Sequence, residues 1–209
     1  MAAPATKTIK DLSGKWVLNK TLSDSIDPAL ALQGVGWLTR KAIGAATVTL
    51  HVKQYQGAPL PPSTSPEPVT RIDIEQVVTA GMKGNAELRC LDFEFRDHKD
   101  WLFGHVRGQS KWVGADELAA LVADARSKGW VEGDFVGEGW LEAEEEKGGP
   151  AGETHVYNHV ESLDAGWTAI QVWGFQTVGG ERRHVRNVVV AKDGKYASIK
   201  LIYDWLSEL

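Results

Sequence analysis

The stretch GVGWLTRKAIG, residues 34–44, mixes apolar and basic side chains between glycines. Trp37 and Ile43 make it apolar, whereas Arg40 and Lys41 are charged. After the glycine break, the pattern predicts a short helix over residues 35–43. An alternating strand pattern follows at once, so this short basic helix stands directly before a sheet.

Outward from this segment, the sequence predicts a first strand over residues 12–21 and a helix over residues 23–32, with Pro28 in its first turns. Beyond residue 46, apolar and polar residues alternate with the period of a strand. Further strands are predicted at residues 87–96, 101–113, 135–144, 155–161, 168–178, 184–191 and 195–206. The last three are separated by glycine turns and therefore form a meander.

The chain is predicted to be one all-β domain over residues 11–209, preceded by a disordered arm of residues 1–10. One inserted helix is expected at residues 116–128, where apolar residues follow a helical period. Many evenly spaced strands with two helices near the start predict a closed antiparallel β-barrel.

Composition excludes several classes of function. The formal net charge of −5 and the lack of a basic run argue against nucleic-acid binding. One cysteine and six scattered histidines give no metal-site spacing, so we expect neither a metal nor another cofactor. No apolar run could span a membrane and no signal-peptide pattern is present, which leads us to expect a cytoplasmic protein.

The segments SGKWVLNKTLSD (13–24), GVGWLTRKAIG (34–44) and ATVTLHVKQY (46–55) resemble the calycins, and within them the intracellular fatty-acid-binding proteins. The resemblance implies a barrel whose helix pair is the lid of an apolar cavity. In such a lid, Trp37 and Ile43 would face the cavity, and Arg40 and Lys41 would face solvent. The calycin likeness is specific over residues 12–55 and architectural beyond them.

Two features depart from the fatty-acid-binding pattern. The chain is much longer, with a proline-rich loop at residues 59–68 and the helix at residues 116–128 added. The last strand carries Lys200 and Tyr203 on opposite faces, where that family has an Arg-x-Tyr pair for a carboxylate. The whole chain, and residues 95–112 in particular, also resembles a group of small fungal calycin-like proteins. Members of that group catalyse hetero-Diels–Alder cyclisations in tropolonic sesquiterpene biosynthesis. That resemblance implies a pericyclase of fungal secondary (meroterpenoid) metabolism.

Neutral amides recur on the strand faces that alternation marks as apolar, a pattern that favours a ligand cavity because buried amides need partners. The five amides are Gln54, Gln76, Asn158, Gln171 and Asn187. Each one could instead satisfy main-chain groups or water. Arg186 could be a stronger donor to a ligand, but it has the opposite parity to Asn187, so an exposed cross-strand ion pair is expected instead.

These amides suit a neutral, oxygen-bearing apolar molecule, and a pericyclic reaction needs only orientation and a hydrogen bond to a carbonyl. The expected catalytic residues are Gln54, Gln76 and Gln171. The expected ligand-binding residues are Trp37, Asn158, Trp173, Phe175, Asn187 and Tyr203. A non-catalytic carrier of fatty acids or other lipophiles and a barrel with a filled interior are the alternatives. The partner is thus a small apolar organic molecule, and a homodimer is left open.

Overall fold

The computed structural model describes residues 1–79 and 84–209 of the chain. Within these residues the strands are β1 (Gly14–Leu18), β2 (Val48–Gly57), β3 (Val69–Val78), β4 (Ala86–Cys90), β5 (Arg96–Asp100), β6 (Gly104–Val113), β7 (His155–Ser162), β8 (Thr168–Val178), β9 (Glu181–Lys192) and β10 (Lys195–Ser207). The helices are α1 (Asp27–Leu32), α2 (Trp37–Ala45) and α3 (Ala115–Ser127). None of these helices has an apolar run long enough to cross a membrane.

All ten strands belong to one antiparallel sheet in the order β4-β3-β2-β1-β10-β9-β8-β7-β6-β5. The sheet curls until β4 approaches β6, which confirms the predicted calycin-type barrel. In the part of the chain that the structure describes, no hydrogen-bonded ladder joins β4 to β5 or β6. The barrel is therefore not closed as expected, and a gap separates its two edge strands.

The glycine of the G-x-W motif is required by close packing at the start of β1. Gly14 has a φ of +134°, and a Cβ there would lie 2.2 Å from the ring of Trp205. Trp205 in turn packs edge-on against Trp16, with ring centroids 4.9 Å apart. Trp16 is completely buried. The motif thus fixes the junction of β1 and β10 at the lower end of the barrel, opposite the helix pair.

Residues 1–12, the N-terminal segment, pack against this lower end instead of forming the expected disordered arm over residues 1–10. Ile9 is fully buried in the same core as Trp16. The amide of Ala3 donates to the carbonyl of Arg182, and the Arg182 side chain donates to the carbonyl of Lys7. The N-terminal segment was misjudged because its few apolar residues have no strand or helix period.

An outer layer, formed by α3 and residues 130–142, covers the outside of β7, β8 and β9. Leu118 and Val122 of α3 pack on Ile170, Val172 and Val189 of the sheet. The strand predicted at residues 135–144 is wrong, because this segment instead holds 3-10 turns at Phe135–Gly137 and Glu144–Glu146. Strand β9 is consequently buried on both faces, and its sequence lacks alternation.

The helix pair α1 and α2 covers the upper end of the barrel. Ala29 and Leu30 of α1 are buried, whereas α2 has no buried residue. Arg40 joins the pair by donating to Asp27 at 3.2 Å and to the carbonyl of Val35 at 2.9 Å. The predicted lid is therefore present, and its basic residue connects the helices.

Candidate functional site

A cavity of about 560 Å³ lies inside the barrel, beneath the helix pair. Its upper part is apolar. This lining includes Ile26, Ala29, Ile43, Val106, Phe103, Trp167, Ala169, Val188, Val190 and Ile199. The predicted alternative of a filled barrel does not hold, because the space is large enough for a small organic ligand.

Six polar side chains line the cavity halfway down the barrel and are called the polar belt here. They are Gln76, Glu87, Arg89, Gln171, Arg186 and Tyr203. They come from β3, β4, β8, β9 and β10. Below them the barrel is filled by aromatic side chains and the N-terminal segment, so the belt is the floor of the cavity.

Glu87 is the centre of the polar belt. Its carboxylate accepts from Gln76 at 2.7 Å and from Arg89 at 3.1 Å. Burial alone would raise the pKa of Glu87, but the charges of Arg186 and Arg89 and the hydrogen bonds from Arg89 and Gln76 outweigh it and lower that pKa from 4.5 to about 2. Glu87 is therefore ionised at neutral pH, and two guanidinium groups against one carboxylate leave an excess positive charge.

Arg186 has the least satisfied side chain of the belt. It is 4% exposed, and it lies 3.8 Å above the ring of Trp173 and 5.3 Å from that of Tyr203. Its guanidinium is 3.6 Å from Glu87 and makes no hydrogen bond to any residue in ranges 1–79 and 84–209. A buried guanidinium without hydrogen bonds is costly, so a ligand oxygen is its natural partner.

This position contradicts the expectation that Arg186 forms an exposed ion pair. Because β9 is buried on both faces, parity along its sequence does not tell which face is inside. The inner face carries Arg186 and Val188. Asn187 lies on the outer face, where its amide donates to the carbonyls of Phe135 and Glu138. Asn187 is thus not a cavity residue, and it holds the outer layer.

Two of the three expected catalytic amides reach the cavity. Gln76 and Gln171 both line it. Gln76 is engaged with Glu87, whereas Gln171 accepts from the indole of Trp173 at 3.2 Å. The Nε2 of Gln171 has no partner among the residues that the structure covers. Gln171 is therefore a second donor available to a ligand, beside Arg186.

Gln54 faces the interior as expected, but its side chain is hydrogen-bonded to the main chain of the N-terminal segment. Its Oε1 accepts from the amide of Leu12 at 3.0 Å. Its Nε2 donates to the carbonyls of Ile9 and Lys10 at 3.1 and 2.8 Å. Gln54 does not line the cavity, so its expected catalytic role is wrong in this structure.

Asn158 lies on the inner face, directly opposite Ser110 and Gln171 in the neighbouring strands. Its Oδ1 accepts from Ser110 at 2.7 Å, and it is completely buried. Ser110 and Gln171 line the cavity, but Asn158 is behind them. Its expected contact with a ligand is therefore replaced by a supporting contact with Ser110.

The aromatic residues that were expected to bind the ligand lie at or below the polar belt. Tyr203 lines the cavity, whereas Trp173 and Phe175 belong to the core beneath it. His184 packs against Phe175 and Tyr203, and its Nδ1 donates to the carbonyl of Gly174 at 3.1 Å. Burial, assisted by Arg186, lowers the pKa of His184 to about 3. His184 is thus a neutral part of the floor.

Trp37 does not face the cavity. Its side chain is 64% exposed on α2, and Ile43 is the residue of that helix which lines the cavity. The helix period could not decide this, because Trp37 is in the first turn of α2, beyond the rim of the barrel. The expected ligand contact of Trp37 is wrong.

Sequence reasoning missed Glu87 and Arg89, and it favoured an exposed ion pair for Arg186. The signals were present but weak. Glu87 and Arg89 alternate on one face of a short strand, and Arg186 is a single arginine in an apolar strand. Either pattern is common on solvated strands, and only the assembled barrel brings the three together.

The strand order, the helix pair after the first strand and the internal cavity define the fold of the fatty-acid-binding calycins. A Schistosoma mansoni fatty acid binding protein in complex with arachidonic acid matches with a TM-score of 0.54 and 15% identity, over 96% of this chain and 100% of that chain. The fluorescent protein UnaG matches with a TM-score of 0.53 and 12% identity, over 95% and 100%. At such identities the likeness establishes the fold alone.

Two curated relatives align with nearly the whole chain. The probable pericyclase scpY of Mollisia scopiformis is 28% identical over 208 residues, which are 98% of this chain and 95% of that protein. The pericyclase pydY of an Acremonium species is 29% identical over 207 residues, or 99% and 97%. The predicted resemblance to pericyclases is thereby confirmed. No known protein-family model matches the chain.

Proposed function

We propose that this protein is a cofactor-independent pericyclase that binds a lipophilic polyketide or terpenoid precursor and directs its cycloaddition. The observation that carries the proposal is Arg186, a buried guanidinium that faces an apolar cavity without a hydrogen-bonded partner among the residues described. The two relatives named as pericyclases support the reaction class.

A hetero-Diels–Alder reaction is the specific form that we propose. One C–O and one C–C bond form together, three π bonds give way to one, and no proton, electron or leaving group is transferred. In an asynchronous transition state the C–C bond forms ahead of the C–O bond, so the carbonyl oxygen of the heterodiene gains negative charge before it bonds to carbon. Arg186 and the Nε2 of Gln171 are placed to donate to that oxygen, and the walls hold both reactants in register.

The inward cation changes the expected substrate. Neutral amides alone favoured a neutral molecule, but the belt carries an excess positive charge from Arg89 and Arg186 over Glu87. We therefore propose a substrate whose conjugated carbonyl oxygen is strongly polarised. Such an oxygen is a better acceptor for a guanidinium than a simple alkene or ether would be.

The test uses two reactions followed by chromatography: an ortho-quinone methide released in situ with humulene, and an intramolecular cyclisation of a trienyl enone. The wild-type protein is expected to raise the rate and change the stereoisomer ratio of at least one. Arg186→Met should lower the catalysed rate by about 10²–10³-fold, since it removes a donor to developing charge.

Arg186→Lys is the matched control, because it keeps the charge but loses the planar donor, and it should retain part of the rate. Both variants should still bind a fluorescent polyene ester saturably, with the several-fold loss of affinity that follows from a weakened or missing donor, which separates loss of catalysis from loss of folding. Product ratios equal to those of the uncatalysed reactions in both systems would reject the pericyclase function.

A non-catalytic carrier is the second candidate, and one observation favours it. Arg186 and Tyr203 lie together in the cavity wall, where they could hold the carboxylate of a fatty acid. Tight binding of palmitate, much weaker binding of methyl palmitate and no rate enhancement would support the carrier. A cytoplasmic location and a homodimer stay predictions from the sequence.

A further inference from the structure

Strand β4 lines the cavity in an unusual way. All five of its residues, Ala86 to Cys90, contribute to the lining. Side chains alternate along a strand, so only every second one can face inward. Glu87 and Arg89 are the inward side chains, whereas the side chain of Leu88 is turned outward and is 57% exposed. Leu88 therefore meets the cavity through its main chain.

The hydrogen bonds of the β3–β4 ladder identify which main-chain groups are unpaired. The amide of Gln76 donates to the carbonyl of Asn85, and the amide of Leu91 donates to that of Thr70. In an antiparallel register, bonded and non-bonded pairs alternate. The residues that turn away from β3 are consequently Ala86, Leu88 and Cys90, whose partners are Glu75, Asp73 and Arg71.

These groups point into the gap between β4 and β6. No described strand pairs with β4 on that side, and Gly108 and Ser110 of β6 line the same cavity. The carbonyl of Ser110 is already used by the amide of Phe93 at 2.9 Å. The edge of β4 thus presents a row of donors and acceptors beside the polar belt, open to pairing with water or with a ligand.

We propose that this edge binds a secondary amide or lactam within the substrate, in the manner of an added strand. An amide carries both the acceptor that the N–H of Leu88 requires and a donor for a neighbouring β4 carbonyl. A pure hydrocarbon or ester chain lacks the donor. The substrate class is therefore an amide-bearing polyene, and this refinement rests on the proposed function because it assumes that the cavity holds the substrate.

The test compares two probes that differ only at one linkage: the N-methylamide and the methyl ester of parinaric acid, titrated by tetraene fluorescence. The wild-type protein is expected to bind the amide about 10-fold more tightly, the effect of one or two net hydrogen bonds. Leu88→Pro removes the gap-facing N–H without touching the β3 ladder, as an edge strand allows. The amide sits on β4 only when both of its hydrogen bonds form together, so loss of the Leu88 N–H should reduce the amide preference to about 2-fold or less.

Leu88→Ala is the control, because it loses the same outward side chain but keeps the N–H, and it should retain the 10-fold preference. Amide hydrogen exchange of Leu88 in the wild-type protein gives a measurement that needs no variant. Exchange should slow at least 10-fold with the amide probe and little with the ester. The proposal would be overturned if the two probes bound with equal affinity, or if Leu88 exchanged at the same rate with either probe. Water would then fill the gap.

The two proposals fail separately. Rate enhancement in the cycloaddition assays together with equal probe affinities would remove the amide site and leave the pericyclase function intact. An amide preference that depends on Leu88, without any rate enhancement, would keep the amide site and reject the pericyclase function.

Discussion

At the scale of single residues, facing inward and reaching the cavity are different properties. Gln54 and Gln171 both lie on inner strand faces, as alternation predicted. Gln54 is level with the N-terminal segment and is fully used by its main chain. Gln171 is level with the cavity, and its Nε2 donates to none of the residues that the structure describes. The position of an inward residue along the barrel axis decides whether it reaches the cavity, and alternation in the sequence does not reveal that position.

Leucine substitutions should separate these two roles. Gln54→Leu removes three hydrogen bonds to the N-terminal segment, so we expect the free energy of unfolding to fall by about 1–3 kcal/mol, with unchanged affinity for parinaric methyl ester. Gln171→Leu removes one bond to Trp173 and a cavity donor. It should lower ester affinity several-fold and stability less. Urea denaturation and fluorescence titration measure both, and identical profiles would contradict the assignment.

At the scale of elements, the sequence predicted most accurately the strands that have one buried and one solvent-exposed face. Strands β2 and β3 were placed with the correct inner face, because alternation is visible there. Strand β9 was assigned the wrong inner face because the outer layer buries its second side. The same layer contains the 3-10 turn at residues 135–137, in a segment whose apolar residues imitate a strand.

Asn187 should prove to be an anchor of the outer layer. Replacing it with Leu removes two hydrogen bonds, one to the carbonyl of Phe135 and one to that of Glu138, which should cost about 1–3 kcal/mol of unfolding free energy. Cycloaddition rates should persist. Arg186→Met at the neighbouring position is the matched comparison, because it should lower the cycloaddition rate. A loss of rate in Asn187→Leu with unchanged stability would place Asn187 in the site after all.

At the scale of the whole molecule, the polar belt could not be predicted, because it joins strands that are distant in the chain. The calycin resemblance gave the order of strands and the lid. It did not place Glu87 of β4 near Arg186 of β9, on the opposite wall of the cavity. The charge of the polar belt is thus a property of the assembled barrel, whereas the overall formal charge of −5 has the opposite sign.

The ion pairs across the cavity predict a defined pH dependence of stability. The pKa of Glu87 is lowered from 4.5 to about 2, so its charged form favours the folded state. This contribution is complete above pH 4.5 and is lost as the pH falls towards 2. The stability difference between the wild-type protein and Glu87→Gln should therefore be constant from pH 5 to 8 and shrink between pH 4.5 and 2. Urea denaturation across this range measures it, and a difference that does not vary with pH would show that Glu87 carries no charge in the folded barrel.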